Sequence, residues 1–483
     1  DHNTGLATYL REQIKMELKK WTEDNPKVNG DKYNIYKDGL KIHTTIDAKM
    51  QEHAEAAVVE HLTDHQLKLF KRYNGKDPYQ GYEDIWNNIV KNSPRFKAYK
   101  ASGLSDTEVF TEMAVPIEMT VFTWEGEKDT LMSPLDSIRH HRMHLQAGFM
   151  VMDPVSGEIK AWVGGANHKY FKYDHVNKRA TRQIGSTFKP FLYSVAIDNG
   201  YSPCFEVLDI QHCIEANNKL WCPKNSDNEY SGTKFTLYKG LQTSTNSISA
   251  FLMKEIGPVP VANQAKRMGV TSNIDPVPSI ALGTPDISVF EMVGSYTAFA
   301  NKGVYTKPFF ISRIEDKYGN VLQDFSTEKS DVLSQQTAYI MTQMLQNVVN
   351  SGTGIRLRYK YQMEGNIAGK TGTTDDHSDG WFIGMYPQLI GGAWVGCDDR
   401  FIRFRGITNG QGAAMALPIW AKFFKRIQQD ESIEFDMNAT FPQPDMPLSI
   451  ELDCSKFDAS IDDPIFNDQP ESSDDYYGDE FEQ

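Results

Sequence analysis

An α+β fold follows from two features of the sequence. The stretch "AGFMVMDPVSGEIKAWVGG" from Ala147 reads as strand, Asp-Pro/Ser-Gly turn and strand, and "GNIAGKTGTT", "GWFIGMYP" and "QLIGGAWVGCDD" supply three further strands much later in the chain. Between them, apolar residues recur at helical spacing over 187–199, 234–256, 259–268, 286–301 and 334–349. A sheet whose first and last strands enclose an all-helical insertion is an α+β arrangement.

The residues ahead of this sheet form smaller elements. Apolar positions in "GLATYLREQIKMELKKWTED" (5–24) have helical spacing, "GLKIHTTI" alternates like a strand, and Asp47 is placed to cap a helix from about Ala48 to Leu62. The stretch "VFTEMAVPIEMTVFT" (109–123) reads as extended segments broken at Pro116. In "HHRMH", His140, His141 and His144 have the helical spacing of a metal site, but no cysteine or carboxylate cluster joins them, so solvated helix histidines are expected.

At 483 residues the chain exceeds what one core serves, and three regions are expected: 1–146, 147–430 and 431–483. No apolar run has membrane-spanning length, and the start "DHNTGLATYL" has neither Met nor a signal-peptide pattern, so a trimmed portion of a longer protein is expected. Net charge is −14, yet residues 462–483 hold nine acids and no base, leaving −14 + 9 = −5 elsewhere. Nucleic-acid binding is disfavoured, and the acidic end reads as a disordered tail. Of the five cysteines, Cys213 and Cys222 flank a polar loop of a length that suits a disulfide. They are expected to be bridged if the compartment is oxidising, and reduced thiols otherwise.

The chemistry concentrates in "QIGSTFKP" (183–190). With a helix starting near Gly185, Ser186 and Lys189 lie on one face, and Pro190 is tolerated only in the first turn. The Ser186 N–H then lacks an intrahelical partner. Nucleophile, base and half an oxyanion hole are the parts of acyl transfer. Ser231-Gly-Thr-Lys234 is a rival match, set in a loop-like stretch. Ser244-Thr245-Asn246 stands before an apolar helix, whereas its rival Ser226-Asp227-Asn228 reads as turn chemistry. Lys370, Thr371, Gly372 and Thr373 end a strand, where a lysine and hydroxyls can hold a substrate carboxylate and Gly372 admits a second backbone.

Ser-x-x-Lys, Ser-x-Asn and Lys-Thr-Gly in this order are the signature of penicillin-binding proteins and serine β-lactamases. With "NKRATRQIGSTFKPFLYS", "ALGTPDISVFEMVGSYTAFANKGV", "SGTG" and "KTGTTDDHSDGWFIGMYP", residues 147–430 resemble the transpeptidase region of class A, bifunctional penicillin-binding proteins. Residues 1–146 look like the linker that follows the glycosyltransferase of that family, whose Glu-Asp-x-x-Phe-x-x-His-x-Gly motif this chain lacks.

The resemblance implies a D,D-transpeptidase. Ser186 attacks the carbonyl between the terminal D-alanines of a peptidoglycan stem peptide, Lys189 is the base, and Ser244 relays a proton. Asn246 orients Lys189 and a substrate amide, and Lys370, Thr371 and Thr373 hold the carboxylate. The backbone N–H groups of Ser186 and Thr373 form the oxyanion hole. No metal or organic cofactor is implied. The implied partners are stem peptides, glycan strands, β-lactam antibiotics and cell-wall synthesis regulators, at the outer face of the inner membrane through an N-terminal anchor outside this sequence. Two other readings share the motifs: a class D-like β-lactamase and a non-catalytic β-lactam sensor. "KYGN" (317–320) mimics the Tyr-Gly-Asn of the first, but its charged flanks read as a hairpin turn.

Overall fold

The computed structural model describes residues 4–456, with 217 and 375 excepted. Helix α1 (Thr8–Asp24) buries Tyr9 and Leu10 against the main core, while Leu18 and Trp21 meet Ile311 and Ile314. Helix α2 (Ala48–Tyr73) is capped by the Asp47 side chain, which accepts from Met50 N at 2.9 Å. It runs well past Leu62, because polar His61, His65 and Gln66 continue its buried stripe by bonding the carbonyls of Met415, Asn409 and Met143.

Two expectations for this region are corrected. Residues Asp106–Met113 are helical, started by a capping box of Ser105 and Glu108, and only Ile117–Thr123 is extended, paired with Gly126–Met132. The histidines after Pro134 are not solvated. His144 is buried among Phe70, Phe122 and Phe171, and each of the three rings donates to a backbone carbonyl, of Phe122, Ser137 or His140. Aromatic neighbours brought in from distant segments were invisible in the spacing.

The central sheet is antiparallel. Its strands are β1 (Gln146–Met152), β2 (Ile159–Val163), β3 (Ala368–Thr373), β4 (Asp379–Met385) and β5 (Ile390–Gly396), in the order β3-β4-β5-β1-β2. Every residue of β1, β4 and β5 is buried, so both faces are covered. Met150, Met152, Ile383 and Trp394 face the inserted segment, whose helices include α3 (Lys189–Asp198), α4 (Leu237–Thr243), α5 (Asn246–Ile256) and α6 (Gln335–Ser351). Phe149, Val151, Phe382 and Ala393 face the opposite way, onto α2 and the amphipathic α7 (Leu417–Gln429). This alternation along each strand is the period of two that a two-faced sheet requires.

The insertion is not all-helical. It carries antiparallel ribbons, Glu206–Leu208 with Lys234–Thr236 and Ile214–Ala216 with Lys219–Trp221 among them, and its strands Ile311–Glu315 and Val321–Asp324 form a sheet with Lys41–Thr44. Strands this short show no alternation to read. Two disulfides are present, Cys213–Cys222 and Cys204–Cys454, the second tying the C-terminal segment to the residues after α3. The acidic stretch 462–483 lies outside the described residues.

Candidate active site

The chain turns into α3 through a 3-10 turn, Gly185–Phe188. Gly185 has φ +54°, and a Cβ there would lie 2.7 Å from the Thr373 carbonyl oxygen, so this turn and β3 approach more closely than a side chain permits. Gly372 meets the same constraint from the other side, with Ile184 O 2.6 Å from where its Cβ would be. Pro190 falls in the first turn of α3, where its missing N–H costs nothing. In a 3-10 turn residues i and i+3 eclipse, which sets Ser186 and Lys189 on one face. Ser186 is half-buried, and its hydroxyl makes no hydrogen bond among the described residues.

Lys189 is the hub of the site. Its Nζ donates to Ser244 O (2.6 Å) and Asn246 Oδ1 (2.8 Å), with longer contacts to Thr245 O (3.3 Å) and Ser244 Oγ (3.4 Å). Lys370, at the middle of β3, donates to Ser244 Oγ (2.8 Å) and Thr371 O (3.0 Å). Both lysines are 0% exposed, and among the described residues no carboxylate pairs with either. Burial, followed by the charge of Lys370, pushes the Lys189 amine far below the ordinary lysine value, and burial alone brings Lys370 down to about 7.

A neutral amine has two hydrogens and a lone pair. The two short bonds of Lys189 occupy its hydrogens, which leaves the lone pair to accept a proton. Ser244 Oγ accepts from Lys370 Nζ, and its own hydrogen is free to point toward the Lys189 lone pair 3.4 Å away. Ser244 sits in the left-handed region at φ 60°, ψ 35°, directly between α4 and α5. For a non-glycine residue that conformation costs about 1–3 kcal/mol, and here the lysine bond to its carbonyl holds it.

Thr371 Oγ1 lies 2.6 Å from Thr353 Oγ1, and Thr373 Oγ1 accepts from Gly412 N at 2.9 Å. These neighbours escaped the sequence reading. Thr353 had a local signal, the glycine-flanked "SGTG", whereas Gly412 had none. The rival motifs stay outside the cluster. Ser231 is exposed beside Thr233, and Lys234 pairs with Glu206 at 3.2 Å. A further Ser-x-x-Lys, Ser326 to Lys329, is exposed at both ends. Ser226–Asn228 forms a surface turn in which Asn228 N donates to Asn225 O. Residues 317–320 form the hairpin turn after Ile311–Glu315, folded around the Asp316 carboxylate.

Residues 147–395 match the penicillin binding protein transpeptidase domain, and residues 68–145 match the penicillin-binding protein middle domain. The chain is 31% identical over 413 residues to penicillin-binding protein 1A of Aquifex aeolicus, covering 83% of this chain and 55% of that protein. It is 32% identical over 288 residues to penicillin-binding protein 2D of Bacillus subtilis, covering 58% of this chain and 41% of that protein. The chain thus spans about half the length of these relatives. Among solved structures, penicillin-binding protein 1A of Haemophilus influenzae superposes with a TM-score of 0.65 at 20% identity, over 92% of this chain and 72% of that one. PonA1 of Mycobacterium tuberculosis in complex with penicillin V gives 0.62 at 20% identity, over 92% and 97%. With a transpeptidase-domain match over more than half its length and the three motifs gathered around two buried lysines, the chain belongs to the penicillin-binding protein transpeptidase family.

Proposed function

We propose that the chain is a D,D-transpeptidase that cross-links peptidoglycan stem peptides through a Ser186 acyl-enzyme and is acylated there by β-lactams. The observation that carries this reading is the buried Lys189, whose short bonds to Ser244 O and Asn246 Oδ1 fix its hydrogens and leave a lone pair for the serine proton. As Ser186 Oγ bonds to the carbonyl carbon of the terminal D-Ala–D-Ala amide, its proton passes to Lys189 Nζ. The oxyanion forms between the backbone N–H groups of Ser186 and Thr373. Collapse breaks the C–N bond, and the departing D-alanine amine takes the proton from Lys189 through Ser244 Oγ, which also contacts Lys370. An acceptor stem-peptide amine then attacks the ester, its proton returns along the same relay, and Ser186 regains its hydrogen. Lys370, Thr371 and Thr373 bind the substrate carboxylate, with Gly372 allowing the backbone approach.

In this reading residues 147–430 are the catalytic domain, 1–146 a pedestal beneath it and 431–483 an extension. The reaction runs at the outer face of the cytoplasmic membrane, as peptidoglycan demands, and the two disulfides are consistent with an oxidising compartment. A β-lactamase turns penicillin over and a sensor forms an adduct without cross-linking. Intact-mass spectrometry after incubation with benzylpenicillin should therefore find one persistent adduct on Ser186. Supplying a polymerised stem-peptide substrate should yield cross-linked product. Rapid hydrolysis of penicillin, or an adduct with no cross-linking, would overturn the proposal.

A further inference from the structure

The helix that carries Asn246 is started from outside itself. Thr245 occupies the N-cap position of α5 but makes no side-chain capping bond. The first amides of the helix are instead met by Asn225, whose Oδ1 accepts from Asn246 N and Ser247 N, both at 3.0 Å. The adjacent residue completes the grip: Lys224 O accepts from Asn246 Nδ2 at 2.8 Å. Both the backbone and the side-chain amide of Asn246 are thus held by one short loop, leaving Oδ1 turned to Lys189 Nζ at 2.8 Å.

That loop is itself anchored by a buried carboxylate. Asp209 Oδ1 accepts from Asn225 Nδ2 (2.9 Å) and from Ser247 Oγ (2.5 Å), and Asp209 Oδ2 accepts from Ser231 N (2.8 Å). Burial pushes the Asp209 carboxyl upward, but the hydrogen bonds from Ser247, Ser231 and Asn225 outweigh it and hold the group below the usual range. Just upstream, the Cys213–Cys222 disulfide closes the ribbon that delivers Pro223 and Lys224. The chain of contacts runs from Asp209 through Asn225 and Asn246 to the amine of Lys189.

We propose that Asn225 and Asp209 are positioning residues for the catalytic base, aiming the Lys189 lone pair by fixing the carbonyl of Asn246. The inference rests on the reaction proposed above. Asn225→Ala removes the one acceptor shared by the Asn246 and Ser247 amides and a donor to Asp209. It should slow the acylation step by benzylpenicillin about 10- to 100-fold, the effect of one lost buried polar contact. The affinity of the complex that precedes acylation should move by less than about threefold. Asn225→Asp alone sets a second carboxylate against Asp209 and should be at least as slow. Combining it with Asp209→Asn reverses donor and acceptor across the same contact and should recover part of the rate, as two residues in direct contact do, while the split between acylation rate and prior affinity separates positioning from a merely structural role.

Stopped-flow acylation separates the two constants, and thermal unfolding is followed on each variant. Should Asn225→Ala not fold, Asn225→Gln keeps both amide functions one methylene further out and is read the same way. A folded variant that acylates within about threefold of the wild type would sink the inference. So would equal losses in prior affinity and acylation rate, or no recovery in the double variant. A wild type that penicillin does not label at Ser186 overturns the proposed function instead, so the two failures are distinguishable.

Discussion

Replacing Lys189 with arginine keeps a positive charge and a long side chain, and removes only the ability to lose a proton. In the wild type, burial and then the charge of Lys370 push the amine toward its neutral form, with Ser244 O and Asn246 Oδ1 placed to take its two hydrogens. A guanidinium stays protonated at any working pH. Base catalysis at Ser186 is then lost, which costs about 10²- to 10⁴-fold in rate. That corresponds to about 3–5 kcal/mol of barrier. The carbonyls of Ser244 and Thr245 and Asn246 Oδ1 remain as acceptors for the new N–H groups, so the variant should fold with a lowered Tm. The assay is the second-order rate of labelling by a fluorescent penicillin, with circular dichroism as the control for folding. Labelling within about tenfold of the wild type would refute the argument, because it would mean that Lys189 contributes charge and not basicity.

Ser186→Ala should form no penicillin adduct by intact mass while keeping its Tm, since the hydroxyl makes no hydrogen bond among the described residues; an adduct on Ser231 would identify the wrong serine. Thr371→Val breaks the 2.6 Å contact with Thr353 and should slow acylation by carboxylate-bearing β-lactams about 5- to 100-fold, and an unchanged rate would remove Thr371 from the substrate site. Acid should destabilise the joint between α2 and the catalytic domain. Burial, then the charge of Lys68, lowers His65 to about 4 and burial lowers His61, so between pH 6.5 and 4 the unfolded state binds more protons than the folded one. Stability present above pH 6.5 is therefore lost as pH falls through that window, by about 3 kcal/mol for His65. Tm against pH should fall less steeply in His65→Gln, and parallel curves would exclude this origin.

What the sequence disclosed depended on how local the cause was. The 3-10 turn at Ser186 that leads into α3 is written in Gly185 and Pro190, and the long buried strands β1, β4 and β5 in largely apolar runs. The hairpin around Asp316 was legible from "KYGN". Longer-range causes left no trace. Helix α2 outruns Leu62 because the carbonyls that satisfy His61 and His65 come from residues beyond 400. The cap of α5 comes from Asn225, which sits in what reads locally as a surface turn. Cys204 found its partner Cys454 across a separation of 250 residues, a pairing that no spacing rule reaches, and the short ribbons of the insertion pair too few residues to show a period.

The two lysines also imply how the site responds to its substrate. With no carboxylate paired to Lys189 or Lys370 among the described residues, the resting site is short of one negative charge, and Lys370 near 7 is about half protonated at neutral pH. A substrate carboxylate at Thr371 and Thr373 would lie beside Lys370 and raise its pKa, completing its protonation. The full charge on Lys370, which already depresses Lys189, then keeps the base neutral at the moment a substrate is present. Binding should therefore draw a proton from solvent: about 0.5 per site at pH 7, about 0.9 at pH 8 and about 0.1 at pH 6, if Lys370 alone changes. Calorimetry of the Ser186→Ala variant with a stem peptide ending in D-Ala–D-Ala, repeated in buffers of different ionisation enthalpy, measures that uptake without acylation. Lys370→Gln should abolish it. Zero uptake in Ser186→Ala at all three pH values, or proton release, would show that the carboxylate is not read by Lys370 and that the base is neutralised by burial alone.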